Sequence, residues 1–287
     1  GPVFALETSM DELDRSALFG IPVITGWFGE GDDGELVLLG RGGSDHTATS
    51  IARLVDADKV ILWKDVDGVL PINPRWGVQS SPIPYLGYSE AVELARLDTP
   101  VLHPATVEPL RGIGIPLEIR DLRSIVKEQA ASIIGPDLIQ THKVKAIGCL
   151  PNVTRLTVNS SSLEVQSELL GHVLIDLAKE NIACWNLDTI PGQISWIVSQ
   201  HDLEKANQII TNHFSAPGVS EYGVMFSLVG NKLPNVKNTL LSPEMTSILE
   251  LEIVSVTDHA VRVISTRNDI SLMLDTLANY LELTIEV

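Results

Sequence analysis

Cysteine is nearly absent from this sequence: two residues in 287, Cys149 and Cys184. They stand far apart, and neither belongs to a Cys-x-x-Cys pair or to a Cys/His cluster with zinc-ligand spacing. A disulfide framework is therefore not expected, no metal site is predicted, and a reducing, cytoplasmic setting fits best. Positive charge is also scarce. Lys and Arg total 20 against 37 Asp and Glu, a formal net charge of -17. Phosphate backbones need a positive partner face, so no nucleic-acid partner is expected, whereas a small anionic substrate needs only a local cation. Long hydrophobic runs are missing as well. No stretch of about 18 consecutive apolar residues occurs, so no membrane span is expected. The opening Gly1-Pro2-Val3-Phe4 lacks a basic leader region, so no signal peptide is expected either. The chain does not open on Met, and Gly1-Pro2 reads as a protease-cleavage scar, which suggests an excised fragment of a longer protein.

What the chain does have is apolar residues, at 44%, with 20% charged, the balance of a globular protein with a real core. Residues 1–125 alternate short apolar runs with helix-compatible stretches. Pro22-Val23-Ile24-Thr25, Leu36-Val37-Leu38-Leu39, Val60-Ile61-Leu62-Trp63 and Ile115-Pro116-Leu117-Glu118-Ile119 read as strands. Residues 46–54 read as a helix, and Ser89 is placed as the N-cap of another that runs to Arg96. Strands separated by helices imply an α/β fold with a parallel sheet. Near residues 126–143 the pattern turns mixed and charged around Gly135-Pro136, and a linker is placed there. Residues 144–287 then repeat a strand-helix-strand-strand-helix pattern twice: 153–158, 165–179, 182–185, 194–198 and 202–214, then 224–230, 242–249, 251–254, 260–265 and 270–281, with a last strand over 283–287. Two ferredoxin-like (βαββαβ) units in tandem are predicted. Trp185 and Trp196 fall within strand patterns and read as core.

Three segments carry chemistry-bearing side chains. Gly40-Arg41-Gly42-Gly43-Ser44-Asp45 lies between a strand and a helix. Glycines let the backbone approach an anion closely, a helix start adds partial positive charge, and Arg41 can hold a carboxylate or phosphate by two parallel bonds. The plainer reading is a tight turn with a cap, and the spacing alone gives the two even weight. Trp63-Lys64-Asp65-Val66-Asp67-Gly68-Val69 places a lysine and two acids at the C-terminal end of a strand, the edge where open α/β sheets bind ligands. An ordinary Asp/Gly turn explains it about equally well. Asn73-Pro74-Arg75 brings a second cation close by. In Val101-Leu102-His103-Pro104 the lone histidine reads as a structural residue rather than a catalytic one.

Taken in order, these segments resemble aspartate kinase. The resemblance rests on Leu39 to Ala48, Trp63 to Val69, Asn73-Pro74-Arg75, Tyr88 to Ala95, Val101 to Thr106 and Ile115 to Arg120, and it covers roughly residues 20–125. It implies the C-terminal part of an amino-acid kinase domain of αβα type, followed by two ACT regulatory modules. The implied reaction transfers the γ-phosphoryl group of ATP, as its Mg²⁺ complex, to the β-carboxylate of L-aspartate in lysine, threonine and methionine synthesis, with no tightly bound cofactor. On this resemblance Arg41, Gly42, Gly43 and Ser44 bind substrate and Asp45 is the catalytic aspartate. Lys64, Asp65, Leu70 and Arg75 stand at nucleotide-binding positions. Effector contacts fall at Asn159, Ser161, Ser162, Asn186 and Asp188, and the ACT modules imply a homodimer.

Three departures accompany the resemblance. The family's opening Lys-Phe-Gly-Gly strand-loop is absent, so this chain alone is expected to be inactive. Pro100 stands where the family has a lysine before Val-Leu-His-Pro, and Leu70 and Asn73 replace a tyrosine and an aspartate near the nucleotide. Trp185 occupies a position where lysine-sensing relatives often carry an acid. A fused parent enzyme with homoserine dehydrogenase or diaminopimelate decarboxylase fits the same resemblance. The alternative reading is a non-catalytic, amino-acid-binding subunit or degenerate relative. Another amino-acid kinase, for glutamate or acetylglutamate, is disfavoured by the ACT-like tail.

Overall fold

The computed structural model describes residues 9, 19–97, 101–124, 130–138, 143–159, 163–215, 217–220, 223–233, 236, 240 and 242–281. Its first described elements form a two-stranded antiparallel ribbon, β1 (Phe28–Glu30) and β2 (Leu36–Leu38), closed at Gly34, where φ is 75°. The run Pro22–Thr25 forms no strand. It lies exposed, with Val23 at 96%, and no strand among the described residues offers it hydrogen bonds. Helix α1 (Gly43–Val55) follows the ribbon and buries Thr49, Ala52 and Leu54. It leads to β3 (Val60–Lys64), whose alternate residues Val60 and Leu62 enter the core while Trp63 faces out beneath the Arg120 guanidinium.

β3 belongs to a four-stranded sheet in the order β3-β5-β6-β4, with β4 at Tyr85–Gly87, β5 at Leu117–Asp121 and β6 at Ser132–Gly135. The pairs β3/β5 and β4/β6 are parallel, as the alternating pattern predicts. The pair β5/β6 is antiparallel, because the chain returns from β5 without a crossover helix among the described residues. Helix α2 (Tyr88–Ala95) starts one residue before the predicted cap. Gly87 is the N-cap, and the Glu90 carboxylate accepts its N–H at 2.7 Å. The Ser89 N–H and hydroxyl instead donate to Asp137 at 2.9 and 2.6 Å. Nearly every residue of α2 is buried, since it is sandwiched between the small sheet and a larger one. A short helix, α3 (Pro104–Val107), sits against α1 and α2.

The larger sheet has seven strands, all antiparallel, with the path β12-β13-β11-β7-β9-β8 and β10 beside β7. Its strands are β7 (Lys143–Asn159), β8 (Asn186–Ile190), β9 (Gln193–Ser199), β10 (Gly218–Val219), β11 (Gly223–Asn231), β12 (Leu251–Val256) and β13 (Ala260–Ser265). Helices α4 (Leu163–Lys179), α5 (Leu203–His213), α6 (Pro243–Leu249) and α7 (Ile270–Tyr280) accompany them. The 182–185 run is not a strand; the pairing starts at Asn186, opposite Ile197. The predicted strand over 283–287 lies outside the described residues.

The two ferredoxin-like units are nested rather than consecutive. The first half of the 17-residue β7 pairs with β11, and its second half pairs with β9. Val144, Ile147 and Cys149 accordingly share a core with β11, β13 and α7, whereas Leu156 and Val158 share one with α4, β9 and α5. Hydropathy periodicity shows strands but not their partners, so a strand lent by one segment to a later unit reads as part of its neighbour. Trp196 is fully buried, edge-on to Phe214 at 6.1 Å, as expected of a core residue. Trp185 is only half-buried. Burial pushes the Cys149 thiol up to about 12 and the Cys184 thiol to about 11, so neither is a ready nucleophile. Among the described residues, no helix is long and apolar enough to cross a membrane.

Candidate active site

The glycine-rich turn is built by backbone geometry only glycine adopts cheaply. Gly40 and Gly42 have φ of 71° and 75°, and the Gly43 N–H donates to the Gly40 carbonyl at 3.1 Å. Gly42 is the N-cap of α1, so the helix starts immediately after the turn, and its first turn brings partial positive charge there. Two glycines are also demanded by proximity. A β-carbon on Gly42 would lie 2.7 Å from the His103 β-carbon, and one on Gly43 would lie 2.8 Å from both Leu39 and Trp27.

Arg41, Gly42, Gly43, Ser44 and Asp45 line one cleft of about 330 Å³ together with Lys64, Trp27, Val101, Leu102 and His103. Two elements meet there: the start of α1 and the C-terminal end of β3. The Lys64 ammonium donates to the Asp45 carboxylate at 2.5 Å, and both side chains are about one-fifth exposed, at 22% and 18%. The pair therefore holds a fixed cation at the wall of the cleft, while the Arg41 side chain stands exposed at its rim.

Sequence reasoning missed Trp27. Its backbone lies in the left-handed region, φ 80°, which is costly for a non-glycine residue. Three bonds hold it: its N–H donates to the Thr47 hydroxyl at 3.1 Å, its indole N–H to the Gly40 carbonyl at 3.2 Å, and its carbonyl accepts from Leu39 at 2.9 Å. It thus ties the ribbon, the turn and α1 together. Periodicity cannot reveal a strained aromatic residue; the only local signal was Gly26 just before it.

His103 serves as expected of a structural residue, although it also lines the cleft. Its Nδ1 accepts the Ala105 N–H at 3.2 Å and caps α3. Burial, then the nearby Arg41 and His46 charges, lower its pKa below the ordinary 6.5. As pH falls through 6.5 the unfolded chain takes up a proton that the folded chain resists, so stability present above that value is lost below it. The urea midpoint should therefore fall more steeply between about pH 7 and about pH 5.5 in the unmodified chain than in His103→Asn. Parallel pH profiles would remove His103 as the titrating group.

Other residues named from the sequence lie elsewhere. Asp65 is exposed beyond β3, Leu70 is half-buried, and Asp67 pairs with Arg123 at 2.6 Å. The Arg75 guanidinium lies 4.5 Å over Trp76 and borders a second groove of about 910 Å³, which shares Arg41 and His103 with the cleft. Asn159 is exposed at the end of β7, Asp188 is exposed on β8, and the Asn186 amide donates to the Val254 carbonyl at 3.4 Å. Ser161 and Ser162 lie outside the described residues. No group of three or more His, Cys, Asp or Glu among the described residues is placed to hold a metal ion.

The cleft, where Lys64 at the end of a strand reaches Asp45 in the helix that follows the glycine-rich turn, lies within residues 7–121, which match the amino acid kinase family. Aspartokinase 1, chloroplastic, of Arabidopsis thaliana is 30% identical over 207 residues, covering 64% of this chain and 36% of that protein. Aspartokinase 2 of Bacillus subtilis is 28% identical over 300 residues, covering 97% of this chain and 70% of that protein. Escherichia coli aspartokinase III in complex with aspartate and ADP superposes with a TM-score of 0.75 at 22% identity, covering 96% of this chain and 64% of that one. The same enzyme with lysine and aspartate gives 0.65 at 25%, covering 89% and 59%. Residues 7–121 thus match the amino acid kinase family, and the chain as a whole is similar to aspartokinases. It spans little more than a third of the length of the Arabidopsis relative.

Proposed function

We propose that the protein, in its full-length form, transfers the γ-phosphoryl group of ATP to the β-carboxylate of L-aspartate. The observation that carries this reading is the convergence of Arg41, the Gly42–Ser44 helix start and the Asp45–Lys64 pair on one cleft. Two kinds of positive site lie within reach of one small molecule there. Arg41 has the fork geometry to grip the carboxylate that does not react. The Lys64 ammonium, steadied by Asp45, offsets negative charge on the transferring phosphoryl group. An oxygen of the β-carboxylate attacks the γ-phosphorus, the bond to the β-phosphate oxygen breaks, and ADP leaves with the electron pair. Mg²⁺ enters as part of the nucleotide complex. The chain's own contribution is positioning and charge neutralisation. The named ligands of the E. coli relative, aspartate and ADP, agree with this assignment. A hydroxamate assay on the full-length protein tests it: aspartate and ATP together should yield aspartyl hydroxamate. Turnover that is equal without aspartate, or greater with glutamate, would overturn it.

The nested ferredoxin-like units form the regulatory part in this reading, with an amino-acid effector at Asn159, Ser161, Ser162, Asn186 and Asp188. Lysine is bound by the E. coli relative. A homodimer through residues 144–287 accompanies the reading, supported by the edge strand β8, where Leu187 and Ile190 are exposed at 39% and 48%. Light scattering at micromolar concentration should give a dimer, and a monomer would remove the pairing.

A further inference from the structure

Helix α2 lies between the larger sheet, which it contacts at β7 and β11, and the core that holds Val101 and Leu102 beside the cleft. Two carboxylates of α2 face the larger sheet. Glu90, 2% exposed, accepts from Lys145 of β7 at 2.6 Å while holding the Gly87 N–H of its own helix start. Glu93 accepts from Arg262 of β13 and, at 3.1 Å, from Arg96. Glu93 and Arg262 are each 16% exposed, so their pairing is little screened by water. Just beyond α2, Leu97 presses onto the larger sheet at Gly148: a β-carbon there would lie 2.7 Å from its Cδ1. Leu97 shares a core with Val153, Ile197 and Met225. From the other side, Ala146 and Val229 of the larger sheet enter the core of the small one. The chain then returns as Val101 and Leu102, both buried, and His103, whose β-carbon abuts Gly42 beside Arg41.

We propose that the Glu93–Arg262 ion pair is a positioning device, which seats α2 on the larger sheet and thereby sets, through Leu97 and the His103–Gly42 contact, where the Gly40–Ser44 turn presents Arg41. The proposal rests on the reading of that turn as the substrate site. It makes the pair the route by which an amino acid bound to the larger sheet alters affinity for the substrate carboxylate. A packed interface has discrete seatings rather than a continuous range, so weakening one anchor of α2 shifts the population of seated helices. Glu93 and Arg262 touch no reacting atom; they act through His103 and Gly42.

The test compares the unmodified full-length protein with its Arg262→Gln and Arg262→Lys variants by hydrogen exchange and by aspartate calorimetry. Arg262→Gln should speed exchange over residues 40–46 and 101–107 and weaken aspartate binding by about fivefold, while Arg262→Lys, which keeps the charge, restores both to within about twofold. A merely structural role for Arg262 would confine faster exchange to residues 88–97 and 251–265 and leave aspartate affinity unchanged, and that result overturns the proposal. If Arg262→Gln loses protection throughout, Glu93→Gln is read by the same two criteria. If aspartate gives no heat with the unmodified full-length protein, the substrate reading falls, and exchange over residues 40–46 still decides the coupling.

Discussion

Replacing Arg41 with alanine should lower kcat/KM for aspartate by about ten- to a hundredfold in the full-length protein, the range set by losing a charge-assisted bond of about 1.5–3 kcal/mol. Most of the loss should fall on KM. The carboxylate gripped by Arg41 carries the same charge before and during transfer, so the bond contributes nearly equally to bound substrate and transition state. Arg41 stands exposed at the cleft rim, so the urea midpoint should move by no more than about 0.5 kcal/mol in equivalent stability. Arg41→Lys should recover only part of the loss, because an ammonium cannot reproduce two parallel bonds. Steady-state kinetics with varied aspartate decides the matter: unchanged KM in Arg41→Ala would take Arg41 out of the substrate site.

Gly42→Ala should be the most damaging small substitution in the turn, destabilising the fold by about 2–4 kcal/mol through a left-handed non-glycine residue and crowding against a neighbour. The second effect separates it from Gly40→Ala. Both positions have positive φ, but a β-carbon at Gly40 meets nothing within 4 Å, whereas at Gly42 it collides with the His103 β-carbon at 2.7 Å. Gly40→Ala should therefore cost only about 1 kcal/mol, the backbone share. Gly42→Ala must also push His103 and the turn apart, so aspartate affinity should fall in step with stability. Urea unfolding of the two variants side by side provides the check, and equal midpoints would mean that His103 yields without consequence.

The cleft was legible from sequence because most of its residues are local: Arg41 to Asp45 are contiguous, and Lys64 directly follows the next predicted strand, 60–63. Their meeting needs only one helix and one turn between them. Residues that depend on distant partners were less legible. Trp27 acts through Thr47 and Gly40, and its strained backbone leaves no compositional mark. Ser89 looks like a cap by residue type, yet Asp137, 48 positions away, takes its donors and leaves the cap to Gly87. The helices and most strands of residues 144–281 were visible as hydropathy patterns. Their nesting was not, since only 153–158 of β7 read as a strand and its first half, which serves the other core, did not. Glu93 carries no mark in the sequence of the partner that the larger sheet supplies 169 positions away, Arg262.

Because β7 lends its opening half to β11, the later unit borrows its final ladder from chain made before the earlier unit. A piece cut after Asn152 would carry β11 with one naked flank, a row of unsatisfied amides and carbonyls open to any stray strand. During synthesis the matching edge of β7, residues 143–150, waits without its partner until β11 follows, more than 70 positions later. The two units thus cannot be divided at a single point along the polypeptide, because the later one is completed only by a strand made before the earlier one.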